Sequence, residues 1–265
     1  MQQQEHITFS FGENWKKFLN TVGEQEITKA REDIKLWIGE ENILHKKIID
    51  IGCGSGIHSL AIYLMGAKEL ISFDYDMHSV EATCELWKKA NSPANWKVLQ
   101  GSVLNKEFLN ELGKFDIAYS WGVLHHTGEM WTAIENATHM VAKNGLFLIA
   151  IYIKGPQYQK HLKTKRKYNK ASGFWKKVMV YRYILSVMLH RLRTGKNPLK
   201  WNEKKERGMN VYNDIVDWLG GLPYEVASKE EIIEFCKEKN MQIKKVIEAE
   251  AEGGCSIYLF QNQDQ

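Results

Sequence analysis

The chain has 265 residues and a net charge of +4; 44% of its residues are hydrophobic and 26% are charged, which is ordinary for a globular protein with a sizeable core. Its four cysteines are widely spaced and form neither a C-x-x-C motif nor a Cys/His cluster, so we expect no disulfide framework and no metal site. The first residues are polar and no uncharged apolar run approaches the ~20 residues of a membrane-spanning helix, which predicts a cytoplasmic protein with no signal peptide and no transmembrane segment.

Residues 1–45 are predicted to form an N-terminal helical lid segment. Residues 7–18 read I-T-F-S-F-G-E-N-W-K-K-F, and their aromatic side chains can share one side of a short helix. Such a helix either packs on the edge of the main domain or covers a cleft, and both interpretations stay open. Residues 28–38 then have the apolar spacing of an amphipathic helix.

The chain is organised around residues 46–76, whose pattern is strand, glycine turn, helix, strand and acid. A short apolar run ends at Asp50, and residues 50–56 read D-I-G-C-G-S-G. A helix-like stretch follows, and a second apolar run ends at Asp74. This is the layout of a nucleotide-binding βαβ unit, but the glycine spacing differs from G-x-G-x-x-G, and Asp50 would repel a pyrophosphate. A dehydrogenase is therefore disfavoured.

The glycine segment and the acid that follows it resemble the first motifs of class I S-adenosylmethionine-dependent methyltransferases, including the small-molecule enzymes of ubiquinone and menaquinone biosynthesis. The resemblance implies that S-adenosyl-L-methionine is the cofactor and S-adenosyl-L-homocysteine the product. It implies that Gly52, Cys53 and Gly54 contact the amino-acid part of the cofactor through the backbone. Asp50 would then shape this turn, and Asp74 would bind the ribose hydroxyls.

The next elements extend the resemblance toward the adenine. A helix is predicted over 77–90, with strands over 96–100 and 115–120. Ser102 stands where the family more often has aspartate. The remaining cofactor contacts that the resemblance implies are Tyr75 packed on the adenine, Ser102 and Val103 beside it, and Ser120 and Trp121 on the methionine side.

Two histidines follow the fourth predicted strand. Residues 121–126 read W-G-V-L-H-H and look very like the family's motif at this position. Ligands bind at the carboxyl ends of strands in an open α/β sheet, so His125 or His126 is a candidate general base or acceptor-orienting group. The alternative is a turn or capping role. No Asn-Pro-Pro-Tyr segment is present here, which weakens a nucleobase amine as the substrate.

The end of the chain completes the sheet. A helix over 130–142 is expected to stop at Gly145 as its C-cap, followed by a fifth strand over 146–153. Ser228 begins a capping box, S-K-E-E, whose helix is predicted to reach about residue 239. Two antiparallel strands, 241–248 and 255–261, follow.

These elements predict an α/β fold, with a doubly wound Rossmann-like seven-stranded sheet, a reversed last strand and a helical insertion after strand five. Residues 46–153 and 228–265 would form the cofactor-binding core, and residues 154–227 the insertion. The reversed last strand is what the methyltransferase resemblance implies.

The insertion has its own charge. Residues 154–207 contain 17 Lys or Arg and 2 Asp or Glu, a net charge of +15, whereas the other residues contain 19 and 30, a net charge of −11. Residues 174–192 are apolar on nearly all helix faces, which is typical of a buried or interfacial helix. Three roles stay open: a lid with solvated basic residues, contact with an anionic substrate or membrane surface, and contact with nucleic acid.

The sequence thus predicts a methyltransferase that acts on an O, N or C atom of a small molecule, with an anionic or lipid-linked acceptor suited to the basic insertion. An RNA or protein methyltransferase that docks through the insertion, and a non-catalytic S-adenosylmethionine-binding module, are the alternatives; nucleic acid is the less favoured partner, and an oligomer is possible. The candidate substrate contacts are Phe11, Trp15, Tyr152 and Asp214.

Overall fold

A computed structural model describes residues 23–202 and 211–263. In this part of the chain a single sheet of seven strands has the order β3-β2-β1-β4-β5-β7-β6. Strands β1 to β5 are parallel, and β7 runs antiparallel to both β5 and β6, so the predicted reversed last strand is confirmed. The strands are β1 Lys47–Ile51, β2 Glu69–Asp74, β3 Trp96–Gln100, β4 Phe115–Trp121, β5 Val141–Tyr152, β6 Met241–Ile247 and β7 Cys255–Asn262.

Nine α-helices accompany the sheet within the described residues, and six of them alternate with its strands. The helices are α1 Glu24–Trp37, α2 Ile57–Leu64, α3 Met77–Lys89, α4 Lys106–Leu112, α5 Met130–His139, α6 Tyr158–Lys170, α7 Gly173–Arg193, α8 Val211–Gly220 and α9 Lys229–Glu238. The predicted capping box is present at the start of α9, because the Glu231 amide donates to the Ser228 hydroxyl and the Ser228 amide donates to the Glu231 carboxylate.

The sheet is buried on both faces because its strands are apolar at consecutive positions. Ile48 belongs to the core under α1, α2 and α3, whereas its neighbour Ile49 belongs to the core under α4, α5 and α9. Leu148 and Ile149 divide in the same way on β5. A period of two with both sets apolar gives a doubly wound sheet.

The prediction for the start of β5 was wrong. Helix α5 ends at His139, and β5 begins at Val141 rather than at residue 146. Val141 pairs with Phe115 and is fully buried, so its pairing extends the strand backward. Gly145 lies inside this strand and not at a helix end: a Cβ there would stand 2.8 Å from the carbonyl oxygens of Ala142 and Asp116. The glycine therefore permits a close backbone approach.

Helices α6, α7 and α8 lie in the 154–227 segment and share a separate apolar cluster. The cluster is built from Tyr168 of α6, Val180 and Ile184 of α7, and Val211, Ile215 and Leu219 of α8. The basic stretch that opens the segment is helical, as α6. None of the described helices is long and apolar enough to cross a membrane. The predicted aromatic segment at 7–18 lies outside the described residues.

Candidate active site

The glycine turn after β1 is held by hydrogen bonds from its own backbone. Gly52 has a φ of 77°, which favours glycine, and a Cβ on it would stand 2.4 Å from a methyl group of Val123. The amides of Gly52 and Cys53 donate to the Phe73 carbonyl at 2.8 and 3.0 Å. The turn is thereby fixed against the end of β2. The Gly54 amide donates to Asp74, so all three predicted cofactor-contacting amides are hydrogen-bonded within the protein in this structure.

Asp74 is the acid at the carboxyl end of β2. Its two carboxylate oxygens accept from the amides of Gly54, at 3.0 Å, and Asp76, at 2.9 Å. Burial raises the pKa of Asp74 from 3.8 to about 6, although these backbone hydrogen bonds oppose the shift. The adjacent Tyr75 ring is 73% exposed. An acceptor carboxylate beside an open aromatic ring has the chemistry needed to hold the diol and the base of an adenosine.

Asp50 lies behind the turn and not at its surface. It is only 2% exposed, and the Ser59 hydroxyl donates to its carboxylate at 2.5 Å. Ser59 and Ser72 hydroxyls are 2.7 Å apart, and the Trp96 indole donates to Ser72 at 2.9 Å. Burial raises the pKa of Asp50 to about 7. Asp50 thus tethers the turn to α2 and β2, which suits the predicted role of shaping the turn.

Asp50→Asn is expected to change how stability depends on pH. Between pH 3.8, the ordinary pKa of an aspartate, and the folded pKa of about 7, the folded protein holds the Asp50 proton, whereas the unfolded chain has released it. Its contribution to the free energy of unfolding therefore falls as pH rises through this window. Asparagine does not titrate, so the stability of the variant relative to wild type should rise by about 1–3 kcal/mol from about pH 5 to about pH 8. Urea unfolding of both proteins across this range measures the difference. If the free energies of unfolding of the two proteins change in parallel with pH, the pKa of Asp50 is not raised in the folded protein.

The other predicted cofactor contacts lie at or just after the ends of β3 and β4. Ser102 is half-buried, and its hydroxyl accepts from the Leu104 amide at 3.2 Å; Val103 is buried beside it. Ser120 is fully buried and donates to the Ile51 carbonyl at 3.0 Å, so it joins β4 to β1. Trp121, half-buried at the end of β4, stacks on Trp37 of α1 with ring centroids 5.8 Å apart. Helix α1 is thereby placed beside the predicted methionine side.

The two histidines after β4 have different environments. His125 is fully buried, with its ring centroid 4.2 Å from that of Tyr152 and 4.4 Å from that of His126. His126 is half-buried, and its Nδ1 lies 2.5 Å from the Pro223 carbonyl. Burial lowers the pKa of His126 to about 3, and the nearby charge of Lys165 acts in the same direction. A neutral ring whose Nδ1–H donates to the carbonyl keeps its Nε2 as an acceptor.

The structure adds a residue that the sequence interpretation missed. Lys165 of α6 is fully buried and its ammonium donates to the Trp218 carbonyl. It lies 4.5 Å from the ring centroid of Tyr224, 4.7 Å from Trp218 and 5.7 Å from Tyr152. Burial lowers the pKa of Lys165 from 10.5 to about 7, against the opposing charges of Cys255 and Asp217. Lys165 and the aromatic rings around it thus connect the two histidines after β4 to the 154–227 insertion.

A sequence signal for Lys165 exists. Tyr158, His161, Lys165 and Tyr168 are spaced by three or four positions, which puts them on one face of a helix. A count of residue types over this stretch does not reveal the shared face, because many basic residues stand between its members. Of the acids on α8, Asp217 lies in electrostatic range of Lys165. Burial, and to a smaller degree the charge of Asp214, raises the pKa of Tyr183 on α7.

Of the four predicted substrate contacts, Tyr152 lies against both histidine rings. Phe11 and Trp15 lie outside the described residues. Within residues 23–202 and 211–263 no group of three or more His, Cys, Asp or Glu side chains is arranged to hold a metal ion.

Comparison with known proteins gives the same fold and a family. Residues 44–213 match the family described as a methyltransferase domain. A ribosomal protein L11 methyltransferase from Staphylococcus saprophyticus is 31% identical over 127 residues, which are 48% of this chain and 37% of that protein. A ubiquinone biosynthesis O-methyltransferase from Pelagibacter ubique is 24% identical over 119 residues, which are 45% of this chain and 47% of that protein. The chain thus spans less than half the length of both curated relatives.

A solved structure matches over nearly the whole chain. Magnesium protoporphyrin IX methyltransferase from Synechocystis, crystallised with bound S-adenosylhomocysteine, superposes with a TM-score of 0.56 at 12% identity. The match covers 94% of this chain and 93% of that one. At this identity the likeness shows the fold, including its seven-stranded sheet.

Proposed function

This chain belongs to the methyltransferase domain family and has the fold of class I S-adenosylmethionine-dependent methyltransferases; from that premise we propose that it transfers a methyl group from S-adenosyl-L-methionine to a small molecule with an acidic hydroxyl. The observation that carries the proposal is the placement of Asp74, fixed by the Gly54 amide, at the end of β2 beside the exposed Tyr75 ring.

The chain's own residues hold and position the reactants. Asp74 would accept hydrogen bonds from the ribose hydroxyls, Tyr75 would stack on the adenine, and the turn at Gly52 would run beside the amino-acid part. When bound, S-adenosylmethionine supplies a methyl group already activated by a positive sulfur. What remains for the protein is to hold the acceptor in line and exclude water, and positioning of this kind contributes on the order of 7–11 kcal/mol to lowering a barrier.

The proposed acceptor site, around His126 and Tyr152, contains several aromatic rings and the ammonium group of Lys165. His126 and Tyr152 have ring centroids 5.6 Å apart, and Tyr152 lies 5.2 Å from Tyr224, next to Lys165. Flat aromatic walls suit a planar acceptor. A hydroxyl that loses its proton as it attacks would be stabilised by the Lys165 charge, and His126, whose pKa is lowered to about 3, would orient the acceptor rather than take its proton. Phenols and enols fit this chemistry.

A protein substrate is the second candidate, because the relative from Staphylococcus saprophyticus is named a ribosomal protein methyltransferase. The deciding experiment supplies S-adenosylmethionine with a panel of phenols, quinols and small carboxylic acids, and in parallel with purified ribosomal protein, while S-adenosylhomocysteine release is measured. Turnover on phenols or quinols supports the proposal. Turnover on ribosomal protein alone would replace it with the second candidate.

Lys165→Met is expected to lower kcat/KM for an acidic hydroxyl by about tenfold or more, since a hydrogen bond to a charged group contributes about 1.5–3 kcal/mol. Methionine keeps an apolar stem but removes the charge. Lys163→Met and Lys167→Met are the controls, because both lysines are exposed on the same helix. Binding of S-adenosylhomocysteine should be unchanged in all three variants. Equal activity of Lys165→Met and its controls would remove Lys165 from the acceptor site.

A further inference from the structure

Helix α7 has two apolar faces, and among residues 23–202 and 211–263 only one of them is packed. Val180 and Ile184 are buried in the cluster shared with α6 and α8. On another side, side chains spaced by three, four or seven positions return to a single line along the helix, about 120° away from the buried pair. This outer line consists of Phe174, Val178, Tyr181, Leu185, Leu189 and Leu192.

Five of the six residues on the outer line are exposed, and Val178 is half-buried. Phe174 is 69% exposed, Tyr181 62%, Leu185 54% and Leu192 61%. Trp175 beside it is also exposed, as is Leu199 in the turn that follows the helix. Scattered exposed apolar residues are normal on a protein surface, but a continuous stripe over most of a 21-residue helix marks an interaction surface. We call this stripe the outer face of α7.

The residues that flank the outer face are basic. Lys177 lies on one side of the line, and Arg182 and Arg193 lie on the other; all three are exposed. Residues 154–202 contain 14 Lys or Arg and no Asp or Glu. A helix with an apolar line, exposed aromatic residues at its start and basic residues along its edges has the pattern of helices that lie in the plane of a membrane interface.

The charge of the outer face favours a membrane surface over a second copy of the chain as its partner. In a symmetric dimer the same patch meets itself, so Lys177, Arg182 and Arg193 would face their own copies without an acid on the patch to neutralise them. RNA would suit the charge, but an apolar line along the helix offers no hydrogen-bond donors to a phosphate backbone. An anionic lipid surface suits both features, since it accepts the apolar side chains among its acyl chains and the basic ones among its headgroups.

From this geometry we propose that the outer face of α7 docks the protein onto an anionic phospholipid surface, with the helix lying flat in the interface. The described helices include none that could span a membrane, so attachment is peripheral and reversible. Because the buried face of the same helix packs on α6, which carries Lys165, docking would place the proposed acceptor site close to the lipid. The docking itself does not depend on the proposed methyl transfer.

The test is co-sedimentation of the purified chain with vesicles of pure phosphatidylcholine and with vesicles of phosphatidylglycerol and phosphatidylcholine in equal parts. Leu185→Ser with Leu192→Ser removes two leucines from the outer face. The matched control is Leu36→Ser with Leu64→Ser, since these leucines are 58% and 47% exposed on helices α1 and α2. Circular dichroism and binding of S-adenosylhomocysteine verify that each variant is folded.

We expect wild type and the control to bind the anionic vesicles and not the neutral ones, and the outer-face variant to partition at least about tenfold more weakly. Added salt should weaken binding through the basic edges. A wild type that stays in the supernatant, or an outer-face variant that binds as well as the control, overturns the proposal. A wild-type dimer that the outer-face substitutions convert to monomer, seen by analytical ultracentrifugation, also overturns it and assigns the surface to a second copy.

Discussion

Replacing Asp74 with asparagine is expected to weaken binding of S-adenosylhomocysteine by about tenfold to a hundredfold, as measured by calorimetry at about pH 8. The carboxylate is already fixed by the amides of Gly54 and Asp76, at 3.0 and 2.9 Å. Asparagine retains one acceptor oxygen but puts an NH₂ group, which cannot accept, in place of the other. The expected loss corresponds to a hydrogen bond involving a charged group, about 1.5–3 kcal/mol.

The pH dependence of the same measurement adds a second readout. The pKa of Asp74 is raised to about 6 by burial, so the carboxyl becomes protonated and loses its charge as pH falls through this value. Wild-type affinity should therefore fall between about pH 8 and pH 5, while the affinity of Asp74→Asn stays flat apart from titrations that both proteins share. The difference between the two curves isolates the Asp74 carboxylate from other titrating groups.

Asp116→Asn is the matched control for Asp74→Asn. Asp116 lies on β4 and accepts a hydrogen bond from the Lys47 amide at 2.8 Å. Asp116→Asn therefore makes the same chemical change, at a carboxylate that also accepts from a backbone amide. Lys47 begins β1, at the end of the sheet opposite the glycine turn. Asp116→Asn should leave the affinity unchanged. Equal losses in the two variants would mean that Asp74 acts through stability alone, and no loss in either would remove Asp74 from the cofactor site.

The core of the fold could be predicted from local patterns. The glycine turn, the acid at the end of β2 and the capping box at Ser228 each depend on residues close together in sequence, and the structure has all three. The boundary near Gly145 could not be predicted, because Lys143-Asn144-Gly145 has the composition of a helix stop. Its actual conformation is set by pairing of Val141 with Phe115, which is distant in sequence.

The acceptor side depends on distant residues to a greater degree. Lys165 is one of several lysines in a basic stretch, and only the folded chain shows that, among the lysines the structure describes, this one is enclosed by Tyr152, Trp218 and Tyr224. The two faces of α7 were visible as apolar residues all round the helix. Which face is packed became clear only from α6 and α8, because a helix that is apolar on both sides has no preferred side until a neighbour is present.

Gly56→Ala is expected to reduce the free energy of unfolding by about 2–5 kcal/mol. Gly56 has a φ of 77°, where alanine is strained by about 1–2 kcal/mol. A Cβ would also stand 2.8 Å from the Cα, Cγ2 and Oγ1 atoms of Thr83 on α3. Because one of these is a backbone atom, a rotamer change cannot relieve the contact, and overpacking of a core adds about 1–3 kcal/mol. Urea unfolding gives the value directly.

Gly195→Ala separates the two contributions. Gly195 has a φ of 72°, close to that of Gly56, but a Cβ there would have nothing within 4 Å. Its loss should be about 1 kcal/mol, since strain is partly offset by the smaller entropy of the unfolded alanine chain. At Gly56 the excess arises from displacing Thr83, whose hydroxyl donates to the Gly54 carbonyl at 3.2 Å. The Gly54 amide in turn donates to Asp74. Gly56→Ala should therefore weaken S-adenosylhomocysteine binding even under conditions where the variant is fully folded. Equal losses of stability and affinity in Gly56→Ala and Gly195→Ala would mean that α3 does not stabilise the cofactor site.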